Sequence, residues 1–192
     1  MINVLIKEIR TALEHELYMV ALEAALTLPD VCGKAEYKED KTTNRYINWY
    51  RKFIESRSPE EYEYSSIPGV TAEIIYNLRN SLLHQGTPNV AKNNNKYPDN
   101  LTVDYFELVQ GNPSSANQSL YTVVNRTDDI PPKKITRKIS ISIEPLCHLL
   151  CDTAEEYYRH NSEKFDFINY NYVRSNFVTA QALGLSNSIN RI

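Results

Sequence analysis

The sequence predicts a mainly α-helical protein, an antiparallel helical bundle with a small antiparallel β-sheet inserted into it. Three observations carry this. Apolar residues recur every three or four positions over long segments near both ends of the chain, which lines them along one face of a helix. Between about residues 100 and 143 the period shortens to two, the period of a strand. No internal repeat divides the 192 residues, a length that suits one domain with a sizeable core. The expected organisation is a single domain over 1–192 with the β insertion at about 100–143.

Residues 2 to about 27 read as one long helix. Ile2, Leu5, Ile9, Leu13, Leu17, Val20, Ala24 and Leu28 keep helical spacing, and Ala21, Ala24 and Ala25 would let a partner helix approach closely. Pro29 is expected to end that helix, with a turn at Gly33. A second helix is expected from about Thr43 to Ser56, capped by Thr42, Thr43 or Asn44, with Ile47, Tyr50 and Ile54 inward and Trp49 and Phe53 beside them. Ser58-Pro59-Glu60-Glu61 has the form of a capping box and predicts a short helix. The next helix should run from about Val70 to Gln85, burying Val70, Ile74, Leu78 and Leu82, with Gly86 as its left-handed cap. A polar loop follows. Two strands are expected at 101–109 and 119–124 around Gly111-Asn112-Pro113-Ser114-Ser115, and a third over Ile135–Ile143. From Glu144 to about Asn161 the helical period returns, with Leu146, Leu149, Leu150, Ala154, Tyr157 and Tyr158 as core positions.

Composition narrows the function classes. A net charge of −3 argues against a general nucleic-acid coat but leaves room for an enzyme with a small basic site. Three cysteines, Cys32, Cys147 and Cys151, make a poor disulfide framework and suit a reducing cytoplasm. The first ten residues gain charge too early for a signal peptide, and no apolar run reaches membrane-spanning length. A cytoplasmic protein without a membrane partner is expected.

The stretch richest in chemistry is Leu78-Arg79-Asn80-Ser81-Leu82-Leu83-His84-Gln85-Gly86. It sets an arginine and a histidine five positions apart near a helix end. An imidazole moves a proton near neutral pH, and a guanidinium stabilises a phosphate as its negative charge grows. At about 100° per residue, Glu73, Tyr76, Asn80 and His84 form a polar stripe distinct from the buried one, with Arg79 beside it. Arg79, Asn80 and His84 can therefore border one cleft, with Tyr76 as a neighbouring substrate contact. The spacing has an internal counter-example in Arg10 and His15, which also stand five apart but lack the asparagine and lie mid-helix. A structural alternative exists as well: Arg79 could reach Glu73 or Asp30 in an ion pair, with His84 as a simple helix cap.

Arg79-Asn80-Ser81-Leu82-Leu83-His84 resembles the Arg-Asn-x-x-x-His signature of the HEPN superfamily, which includes bacterial ribonuclease toxins and phage-defence nucleases. The resemblance implies a HEPN-like bundle and a metal-independent endoribonuclease that uses no cofactor. His84 would move protons, Arg79 would stabilise charge, and the RNA's own 2′-hydroxyl would attack. It also implies a homodimer that pairs two copies of the motif, and an antitoxin or regulatory protein as a further partner. Some HEPN toxins carry a modifiable tyrosine two residues after the histidine. Gly86 stands at that position here, which sets this chain apart from that mode of regulation. The sheet insertion is also outside the basic HEPN pattern. The reading from a different class is a noncatalytic helical module that dimerises and binds a partner protein or a nucleotide.

Two other segments carry reactive or charged side chains. Cys147-His148-x-x-Cys151 could bring two or three ligands together on one helix, but a zinc site needs four, and packed cysteines are the expectation. Pro131-Pro132-Lys133-Lys134-Ile135-Thr136-Arg137-Lys138 is the concentrated basic segment. Lys133, Lys134, Arg137 and Lys138 could guide an RNA backbone from an exposed hairpin, or protect the edge of a sheet.

Overall fold

The computed structural model describes residues 2–57, 71–85, 105–110, 121–127 and 135–168. The expected short helix after Ser58, the Gly86 cap, the polar loop after it, the Gly111–Ser115 loop and the tail beyond Ile168 lie outside the described residues.

The N-terminal segment forms two helices rather than one. The first, α1, spans Ile2–Glu14 and buries Ile2, Ile6, Ile9 and Leu13. The second, α2, spans Tyr18–Ala25. Between them Glu16 adopts a left-handed backbone, φ 59°. The Glu16 N–H donates to the Leu13 carbonyl at 2.9 Å, and the Leu17 N–H donates to the Ala12 carbonyl at 2.8 Å. These paired bonds close a helix and reverse the chain, a task usually given to glycine. The apolar spacing runs on through the break, so periodicity does not reveal it. Leu17 and Val20, expected in the inner stripe, are left exposed as a result.

Pro29 starts a helix instead of ending one. Helix α3, Leu28–Glu36, carries Pro29 in its first turn, where the missing N–H would have had no partner. Gly33 lies inside α3 rather than at a turn. A Cβ there would stand 2.6 Å from the Arg45 carbonyl oxygen, so glycine is what lets α3 and the next helix touch backbone to backbone. That helix, α4, spans Thr42–Tyr50 and widens into a π-helical turn at Arg51–Glu55. Its buried side chains are Tyr46, Trp49, Tyr50 and, in the π turn, Ile54, while Ile47 is only partly buried.

Helix α5, Ala72–Asn80, is capped by Thr71, whose hydroxyl accepts from the Ile74 N–H at 3.4 Å. It buries Ile74, Ile75 and Leu78 as the periodicity predicts. It then continues as a second π-helical turn, Ser81–Gln85.

The sheet is mixed, not antiparallel throughout. Strands β1 (Tyr105–Val109), β2 (Tyr121–Thr127) and β3 (Ile135–Ser142) lie in the order β1-β3-β2. Strand β3 pairs antiparallel with β2 and parallel with β1. The alternating segment takes the centre, where both of its edges are hydrogen-bonded and Ile139 and Ile141 join the core with Phe106. The expected all-antiparallel sheet is therefore replaced by two pairings to β3, one parallel and one antiparallel. Helix α6, Ile143–Asn161, follows β3 directly and buries Leu146, Leu149, Leu150, Ala154 and Tyr157. A short 3₁₀ turn, Ser162–Phe165, packs back on it through ring contacts of Phe165 with Tyr157 and Tyr158.

Long-range packing closes the bundle. Helices α1 and α2 pack on each other and on α6, α3 packs on α4 and α6, and α5 packs on α4. Tyr157 is the aromatic hinge of this core, edge-on to Trp49 at 5.8 Å and to Phe53 at 4.9 Å. Among the described residues no helix is long and apolar enough to cross a membrane.

Candidate functional site

The site is built where α5 meets the start of α3. Arg79 lies in the last turn of α5, largely buried. Its Nε–H donates to Asp30 Oδ2 at 2.9 Å, and its Nη2 stands 2.6 Å from the same oxygen. Its Nη1–H donates to Asn80 Oδ1 at 2.9 Å. The guanidinium is thus fixed from two sides, by a carboxylate 49 residues earlier and by the amide of the next residue. Asp30 sits in the first turn of α3, where the helix dipole favours a negative charge.

Of the two acidic partners that the sequence offers Arg79, the structure uses Asp30. Glu73 pairs with Arg51 instead. A charge-assisted pair between two mostly buried side chains is a firm geometric constraint, because neither ion can leave without exposing the other to a poor solvent. The structural alternative for Arg79 is therefore present, and it comes with a defined orientation.

Three hydroxyl groups extend this polar region. Thr43 Oγ1 and Tyr76 Oη are 2.8 Å apart, and the Tyr76 ring lies 5.2 Å from that of Tyr46. Tyr46 is fully buried and donates its O–H to the Leu26 carbonyl at 3.3 Å. Burial pushes the Tyr46 phenol far up, helped by the nearby Asp30 charge. It is a neutral donor throughout the ordinary pH range. Tyr76 is thus tied into the α4–α5 contact and half-buried, on the stripe that the sequence assigned to it. Thr43 and Tyr46 had no signal in the sequence beyond helix capping and core periodicity. Asp30 had a weak one, as an acidic side chain in reach of Arg79.

His84 falls in the π-helical turn that continues α5. In a regular α-helix, positions five apart are offset by about 140° around the axis. A π turn closes its hydrogen bonds over five residues rather than four, which reduces that offset. The backbone therefore carries position 84 toward the side of the helix that holds Arg79.

The other flagged residues separate from this region. Arg10 bridges α1 to α6, donating to Asp152 and to Glu155, each at 2.7 Å. His15 is exposed near the α1–α2 break. This Arg/His pair has no asparagine clamp, and its arginine alone makes the helix-packing contact. Lys133 and Lys134 lie outside the described residues. Arg137 and Lys138 are on β3, opposite Asn125 and Val124 of β2, with Lys138 also opposite Tyr105 of β1. Since β3 is the central strand, these residues do not protect an edge; the edges are β1 and β2. Cys147 and Cys151 are buried and free, as is Cys32. Burial pushes all three thiols up, Cys151 to about 12. His148 between them turns toward Glu144, at 3.9 Å. Among the described residues no group of three His, Cys, Asp or Glu side chains is placed to hold a metal ion.

Comparison of the chain with protein-family models, with curated proteins and with solved structures gave no match.

Proposed function

We propose that this chain is a HEPN-like, metal-independent endoribonuclease of a bacterial toxin–antitoxin or phage-defence type. One observation carries the reading: the Arg79 guanidinium is held by Asp30 and Asn80 at the end of a helix that continues, through a π turn, to His84. A pre-oriented guanidinium and a proton-transfer residue on one continuous helix are the equipment that cleavage of an RNA strand requires. The 2′-hydroxyl attacks its own phosphate. His84 takes up or delivers a proton, and Arg79 stabilises the crowded phosphate. The products are a 2′,3′-cyclic phosphate and a 5′-hydroxyl. Two proton transfers call for two histidines, so the reading includes a homodimer with the motifs facing each other.

The Asp30 contact also favours a second reading. An arginine whose charge is already balanced by a carboxylate serves a noncatalytic helical module equally well. Purified protein incubated with RNA separates the two. Under the nuclease reading RNA is cut in the presence of EDTA, and Arg79→Ala and His84→Ala each lower the rate at least roughly 30-fold, about 2 kcal/mol of transition-state stabilisation. Arg10→Ala and His15→Ala leave it unchanged. Equal rates in all four variants, or a rate that vanishes with EDTA and returns with magnesium, would overturn the nuclease.

A further inference from the structure

We infer that the corner between α1 and α2 is a docking surface for a basic amphipathic helix of a partner protein. The large apolar side chains exposed among the described residues are Leu17, Met19 and Val20, at 53%, 38% and 58%. They fall within four consecutive positions. Leu17 is the N-cap residue of α2 and Val20 lies in its first turn, so the two are neighbours at the helix start. Scattered single apolar residues on a surface are ordinary, but a contiguous group signals a contact.

The adjoining surface has the shape for a helix. A groove of about 740 Å³ runs beside α1, with Val4, Thr11, Ala12, His15 and Leu17 among its lining. This face of α1 is opposite to the one that buries Ile2, Ile6, Ile9 and Leu13. From residue 3 to residue 15 it extends about 18 Å, room for roughly three helical turns. The small side chains Thr11 and Ala12 in its middle permit close approach.

Charge selects the occupant. Glu14, Glu16 and Glu23 are exposed on the segments that form the corner, and the groove itself is lined by one acidic and one basic side chain, Glu8 and Lys7, so carboxylates outnumber cations. Arg10, the other nearby cation, is engaged by Asp152 and Glu155. The surface is therefore apolar at its centre and acidic at its rim. A second copy would set one acidic rim against another, and an anionic membrane would be repelled in the same way. A helix with an aliphatic stripe flanked by lysine or arginine meets both features. The backbone supports the same conclusion. Glu16 holds a left-handed conformation that glycine would adopt with less strain, and as an exposed glutamate it adds a carboxylate to the acidic residues of this corner.

The test is fluorescence anisotropy with a labelled designed peptide of roughly 15 residues, a leucine stripe flanked by lysines. The control is the same peptide with glutamate in place of every lysine. The full-length protein is expected to bind the lysine peptide and not the glutamate peptide. Leu17→Ser with Val20→Ser should weaken binding about tenfold, as should Glu14→Gln with Glu23→Gln, the latter losing most of its salt dependence. All four side chains are exposed, and unchanged thermal melts check the fold. His84→Ala should bind as the parent does, so the result stands whether or not the chain is a nuclease. Equal binding of the two peptides, or binding insensitive to both double variants, overturns the inference. So does self-association that Leu17→Ser with Val20→Ser abolishes, or binding to anionic phosphatidylserine vesicles through this corner.

Discussion

Asparagine at position 30 would keep an oxygen near Arg79 while removing its negative charge. Two consequences follow, and they are separable. The guanidinium and the carboxylate are only 14% and 18% exposed, so an Arg79 without its counter-charge is poorly solvated. Asp30→Asn should lower stability by about 2–3 kcal/mol, read from urea unfolding. Under the nuclease reading, a guanidinium relieved of the Asp30 charge attracts phosphate more strongly but is less firmly aimed. Both KM for RNA and kcat should then fall. A purely structural Asp30 would leave both constants of the folded fraction unchanged. Under the nuclease reading Asp30 is a positioning residue. It acts through Arg79, and through a contact between residues far apart in sequence.

At the level of elements, Glu36 on α3 shows how helices are joined by charge. Its carboxylate accepts from Lys52 at 2.6 Å, from Lys164 at 2.7 Å and from the Tyr157 hydroxyl at 3.0 Å. Burial would raise its pKa, but these three donors outweigh burial and lower it from 4.5 to about 2. A carboxylate with a depressed folded-state pKa contributes stability that is complete above the unfolded value and is lost as pH falls through the folded one. The protein should therefore lose stability between pH 4.5 and about 2, as α3 separates from the α4 extension and the end of α6. Glu36→Gln should cost about 1–3 kcal/mol at neutral pH and flatten that acid limb in a series of thermal melts. The elements themselves were largely legible in the sequence. Period 3.6 located α4 to α6 and period 2 located β3, because burial of one face leaves a trace in local spacing. The breaks were less legible. Leu13 and Leu17 keep a helical interval across the Glu16 reversal, and Pro29 fits a helix start as well as it fits a helix end. Strand order was not legible, since alternation states that a strand has two faces and is silent about its neighbours. The site divides in the same way. Arg79, Asn80 and Tyr76 are near in sequence and could be singled out together, and Asp30 could be named only as one of two acidic partners in reach, whereas Thr43 and Tyr46 join this region through tertiary contact.

For the whole molecule, the proposed composite site requires two chains. Helix α5 packs on α4, while α1 and α2 pack on α6, so a dimer formed around α5 draws on a different part of the bundle from the α1–α2 corner. Sedimentation is expected to give twice the 22.2 kDa chain mass. Mixing Arg79→Ala chains with His84→Ala chains should return part of the cleavage that each lacks alone. A monomer that cleaves RNA at full rate would overturn the shared site.

Helix α1 is synthesised well before α6, one of the two helices on which it packs. Its docking onto α6 is fixed by Arg10 and Asp152, which are 142 positions apart. At about 5–20 residues per second, a ribosome needs roughly ten seconds or more to make that interval. During this time Ile2, Ile6, Ile9 and Leu13 can lean on α2 but not on α6. The nascent chain thus carries an open apolar seam until α6 has emerged, and its solubility in that window depends on whatever shields the seam.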